Sequence, residues 1–212
     1  AGRYPSHLCA WAKSYLGWAT VNTITAGGSY VLRTVEADSN IYKIPTGTST
    51  EYFLMENRQP YGADGSALPS PAGILIYHVD ETMFTGFKPN NDRDHKFVDV
   101  VCANGRDASG HTDLDNLVCR SSSSHYFRSG NNNHFGAGTN PSTLLYNGSF
   151  LYTDIQSIGA SGDSMTFFVS SNQSSPNRRA ISYPNPFIPS QFSTVTIRTE
   201  PITQTNSIKI YN

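Results

Sequence analysis

Charge is scarce in this sequence. Asp, Glu, Lys and Arg make up 15% of its 212 residues, against about 25% in an ordinary soluble domain. Fifteen basic and sixteen acidic residues leave a formal net charge of -1, so the basic excess that nucleic acid or an anionic membrane demands is missing. No apolar run approaches the roughly 18 to 20 residues that cross a bilayer, and the mean hydropathy is -0.39. The expectation is a soluble chain with no nucleic-acid partner and no membrane span. Three cysteines are too few for a disulfide-dense miniprotein. Also missing are His-Glu-x-x-His, Cys-x-x-Cys, Gly-x-Ser-x-Gly and a phosphate-binding glycine loop. No catalytic residue is therefore assigned, and the chain alone is expected to be inactive.

What is present points to strands. Seventeen Gly, 12 Pro and 12 Tyr suit a loop-rich, β-rich extracellular protein, and the length suits one domain with a small appendage. The chain opens at Ala1 without Met or a signal-peptide pattern, which reads as a processed or trimmed terminus. Leu8, Trp11, Ala12, Tyr15 and Leu16 recur at helical spacing between Pro5-Ser6 and Gly17, which predicts one helix. Runs at 30–35, 41–44, 51–56, 73–79, 97–103 and 165–170 are rich in Val, Ile, Tyr and Phe and bounded by turn residues, which predicts strands. The stretch from Gly73 to Val79 is the most continuously apolar, so it is expected to lie centrally with both faces covered. Residues 104–142 read as a long irregular loop.

A polar stretch at 171–179 reads as a linker. It divides a body at 1–170 from a tail at 180–212, in which 194–198 and 207–211 read as strands. Two strands cannot bury a sandwich core, so the tail is expected to be an incomplete β module on a chain that ends early.

Residues 80–115 hold eight carboxylates against four cations. Asp80, Glu81, Asn91 and Asp92 follow the apolar strand and supply the hard oxygen donors that Ca²⁺ takes in sets of six to eight. Asx residues also favour turns, so a solvated acidic loop fits the same pattern. Cys102 and Cys119 bracket a polar loop and could close it as a disulfide, leaving Cys9 unpaired. Cys9 fits a small core residue better than a thiol nucleophile. His78 and His95 could in principle meet around zinc, although structural histidines are the simpler reading. Asn147-Gly-Ser and Asn172-Gln-Ser match glycosylation acceptors of the kind chance supplies in such a chain.

Three blocks carry a resemblance. Residues 5–18, with Trp11-Ala-Lys-Ser-Tyr-Leu-Gly-Trp18, then Glu51-Tyr-Phe-Leu-Met-Glu-Asn-Arg58, then Gly73-Ile-Leu-Ile-Tyr-His-Val-Asp-Glu81 resemble successive blocks of the immune inhibitor A family of secreted zinc metallopeptidases. The stretch from Asn140-Pro-Ser through Met165-Thr-Phe-Phe-Val169 is similar to the end of that domain. The resemblance implies the C-terminal part of an α+β metallopeptidase domain. The family's zinc helix and Met-containing turn lie N-terminal to the first block, so zinc and peptide-bond hydrolysis are implied only for a longer parent. It further implies a secreted or cell-surface bacterial protein whose partners are the rest of the parent polypeptide or other subunits, with peptide substrates for the parent. The tail, with Tyr183-Pro-Asn-Pro-Phe187, resembles the opening of the immunoglobulin-like hook-capping and sorting modules. The alternative is a non-enzymatic extracellular surface or filament component of protease ancestry.

Overall fold

In the computed structural model, the described residues are 6–65, 67–84, 90–115, 121–151 and 153–171, with strands at 181–183, 194–198 and 205–209. The chain divides into two units, Ala1–Ser171 and Asn172–Asn212. The first is mostly β with one short N-terminal helix, α1 (Ala10–Tyr15). Its strands are β1 (Thr20–Thr23), β2 (Gly28–Arg33), β3 (Asn40–Pro45), β4 (Glu51–Arg58), β5 (Gly73–Asp80), β6 (Val98–Val101), β7 (Thr153–Gln156) and β8 (Ser164–Ser171).

Five of these strands form one sheet in the order β1-β3-β4-β5-β6, and three form another in the order β2-β8-β7. All pairings are antiparallel except that of β1 with β3. The strand expected at the centre, β5, has a neighbour on each side, but the middle position belongs to β4. Every residue of β4 is buried, and its alternation explains how. Phe53 and Met55 enter a core shared with Ile74, Ile76 and Val101 of the same sheet and Leu32, Met165, Phe167 and Val169 of the other. Tyr52 and Leu54 point the opposite way, into a second cluster with Ile41, Tyr77, Val79, Phe97 and Ala10. That second face is the one α1 covers.

The helix differs from its sequence pattern. It spans six residues, and the positions it buries are Ala10 and Lys13, whereas Leu8, Tyr15 and Leu16 of the predicted apolar face are exposed. The reason is electrostatic: Lys13 Nζ reaches inward to Glu56 Oε2 at 2.5 Å, and that pairing sets the rotation of the helix. Gly17, at φ +71°, ends it in the left-handed conformation that a side chain disfavours.

The irregular stretch after β6 enters the core at two described positions. Phe127 and Phe135 are fully buried in the main core. Phe127 exchanges both backbone hydrogen bonds with Ile74, and a Cβ on Gly73 would stand 2.7 Å from the Phe127 carbonyl oxygen. Glycine at the start of β5 is what allows this close approach. In the second unit, β9 (Ile181–Tyr183), β10 (Thr194–Arg198) and β11 (Thr205–Lys209) form an antiparallel sheet in the order β11-β10-β9.

Candidate functional site

The buried face of the five-stranded sheet ends in a polar rim. Cross-strand register aligns Phe53, His78 and Asp99 in one row and Glu51 with Asp80 two positions along, on the same face. Carboxylates directly opposite one another repel, and each is answered here by an imidazole. His78 Nε2 lies 2.9 Å from Glu51 Oε1, and His95 Nε2 lies 2.8 Å from Asp80 Oδ2. The ring of Tyr146 fills the space between the two histidines, with centroids 4.4 Å from His78 and 3.9 Å from His95. Its backbone N–H donates to Glu51 Oε1 at 2.8 Å. Beyond Asp99, Lys96 is shared between Asp99 and Asp115, and Arg106 also pairs with Asp99.

These contacts set the protonation of the rim. Burial pushes the Glu51 carboxyl up, but hydrogen bonds from His78 and the Tyr146 amide outweigh it and hold Glu51 below its ordinary value. Burial likewise opposes Asp80, whose bonds from Thr82 and His95 win and hold it low. Burial lowers Lys96, yet Asp115 and Asp99 hold it above its usual value. Burial drives the Tyr146 phenol strongly up. The shifts of Glu51, Asp80 and Lys96 favour the charged form that makes the ion pair or hydrogen bond. The rim walls a cleft of 350 Å³ lined by Phe53, His78, Asp99, Arg106, Leu145 and Tyr146 among others.

A second polar system underlies α1. Glu56 is fully buried and accepts from Lys13 Nζ at 2.5 Å, Arg58 Nη1 at 3.0 Å and the Tyr77 hydroxyl at 2.5 Å. Arg58 also grips buried Asp64 through Nε at 2.6 Å and Nη2 at 2.7 Å, a bidentate pair. Two cations thus face two carboxylates inside the protein. Periodicity could not reveal this system, because Glu56 and Arg58 stand in a strand pattern where charge normally marks the solvent side.

Three of the four residues expected to hold calcium have other partners. Asp80 Oδ1 accepts from the N–H and hydroxyl of Thr82. Glu81 Oε1 accepts from the Tyr52 hydroxyl at 2.6 Å and the Trp11 indole at 3.4 Å. Asp92 Oδ1 closes a turn by accepting from the amides of Asp94 and His95, and Asn91 is exposed. Cys9 is half-buried and Cys102 is buried, both as free thiols. Cys119, the expected partner of Cys102, lies outside the described residues.

All six histidines face a carboxylate: His7 with Glu36, His78 with Glu51, His95 with Asp80, His111 with Asp94, His125 with Asp113 and His134 with Asp154. Among the described residues, one group brings three potential metal donors within 4.8 Å of one another: Cys102, Asp113 and His125. Nothing in the sequence signals it. Its members are 11 and 12 residues apart in a stretch without periodicity, and the fold alone assembles them.

No protein-family model matches the chain, and neither a curated protein nor a solved structure does.

Proposed function

We propose that this chain is the non-catalytic portion of a secreted bacterial zinc endopeptidase. It acts as a β scaffold that braces one wall of the substrate cleft, while peptide-bond hydrolysis belongs to a longer parent carrying the zinc motif. The observation that carries this reading is the treatment of α1. The Lys13–Glu56–Arg58–Asp64 system clamps the helix, while its outer side carries large apolar groups. Tyr15 is 68% exposed, stacks on Trp11 at 5.0 Å and lies 6.2 Å from Phe84, which is 53% exposed. Leu16 and Trp18 follow at 48% and 64%. Apolar surface presented by a rigidly held element suits coverage by another part of the protein. In the family the sequence resembles, the zinc-bearing segment lies N-terminal to this helix in the sequence.

The test is the intact mass and metal content of the polypeptide isolated from its source. The scaffold reading expects a zinc-containing species much heavier than 23.2 kDa. A 23.2 kDa species in a repeating extracellular assembly contradicts it and favours a surface or filament component.

A further inference from the structure

We propose that Cys102, Asp113 and His125 form a binding site for a single zinc-type transition-metal ion. Their donor atoms, one sulfur, one carboxylate oxygen and one imidazole nitrogen, lie within 4.8 Å of one another, so that small side-chain rotations bring all three onto one ion. With the thiol deprotonated, the site carries two negative charges and a neutral imidazole, which matches a divalent cation. The sulfur and nitrogen select a borderline-soft metal over calcium, which takes only oxygen. Cys102 and His125 are 0% and 3% exposed, so the sulfur and imidazole are held in place. The Asp113 side chain is 42% exposed and lines an open cleft with Asn104, Thr112 and Asp115, which gives an ion a way in and leaves room for a water ligand. Asn104 Nδ2 donates to Asp113 Oδ2 at 3.0 Å, the kind of outer contact that orients a metal-binding carboxylate.

Two features of the metal-free state determine how binding proceeds. The Cys102 sulfur binds the ion as thiolate, so its proton leaves to solvent as the sulfur–metal bond forms. Binding therefore strengthens as pH rises. The Ser122 N–H donates to His125 Nδ1 at 3.2 Å, and Nε2 faces Asp113 Oδ2 at 3.0 Å. This places the imidazole proton on Nε2. A metal on Nε2 requires that proton on Nδ1, so the Ser122 bond must break as the ion enters. One long hydrogen bond is small against the binding free energy of a thiolate-containing zinc site, so the ion prevails. The Ser122 amide becomes the reporter.

The experiment titrates the reduced full chain with Co²⁺ and then displaces it with Zn²⁺. The expected result is one cobalt per chain with a sulfur-to-cobalt charge-transfer band, loss of that band on adding Zn²⁺, and a shifted Ser122 amide resonance. Asp113→Asn, at an exposed position that folding tolerates, should weaken binding about tenfold or more. Cys102→Ser should abolish the band, and Cys9→Ser should leave it unchanged. The proposal is overturned by the absence of a charge-transfer band, by a band that survives Cys102→Ser, by unaltered affinity in Asp113→Asn, or by peptide mapping that finds Cys102 bridged to Cys119 in native protein.

Discussion

Replacing Glu56 with Gln tests the clamp beneath α1 at its most sensitive point. The substitution preserves shape and removes one charge. Arg58 keeps Asp64 as a bidentate partner, whereas Lys13, whose side chain is 10% exposed, loses its only carboxylate among the described residues. Breaking a buried pair from one side typically costs about 3–5 kcal/mol, because the surviving charge remains desolvated. Lys13→Met is gentler. It leaves Glu56 with the Arg58 and Tyr77 donors, and a loss of about 1–3 kcal/mol is expected. With both changes no unpaired ammonium remains, so the double variant should be more stable than the sum of the singles predicts, by about 2 kcal/mol or more. Against a total stability of about 5–15 kcal/mol, the Glu56→Gln effect is large enough to measure by urea unfolding. Tryptophan fluorescence is a local probe, since Trp11 sits on the clamped helix against Phe97 at 4.5 Å. A Glu56→Gln loss below about 1 kcal/mol, or strictly additive single effects, would refute the clamp.

Two further outcomes follow from burial and protonation. Phe135→Ala removes a fully buried ring packed against Phe53 and Phe127 and should cost about 3–5 kcal/mol in urea unfolding; a loss under about 1 kcal/mol would place the stretch after β6 outside the core. Glu51 and Asp80 are held below their ordinary values of 4.5 and 3.8, so their stabilisation is complete above that range and is lost as pH falls through the lower folded values. Melting temperature should fall with acidification below that range, and more shallowly in Glu51→Gln/Asp80→Asn; an unchanged acid slope in the double variant would contradict the rim's ion pairs.

The strands of the body were legible because Val, Ile, Tyr and Phe cluster between turn residues, a pattern that burial against a second sheet requires. β1 and β7 escaped notice, since Thr20–Thr23 and Thr153–Gln156 are short and largely polar. The rotation of α1 was illegible for a different reason: periodicity assumes that apolar residues point inward, and here a lysine does so because its partner, 43 residues away, is a buried glutamate. The rim was legible as a concentration of carboxylates but not in its pairing. Asp80 finds His95 and Glu51 finds His78 through sheet register and loop return, which local sequence does not encode. Phe127 and Phe135 stand amid Ser, Asn and Gly, and only their pairings in the fold, with Ile74 and Ile155, show that their stretch threads the core.

The central claim, that this chain supports peptide-bond hydrolysis without performing it, is tested most directly by one comparison. Casein is incubated with purified chain 1–212 and with the full source polypeptide, each with and without a zinc chelator. The account predicts chelator-sensitive cleavage by the source polypeptide and none by 1–212. Chelator-sensitive cleavage by 1–212 itself would contradict it.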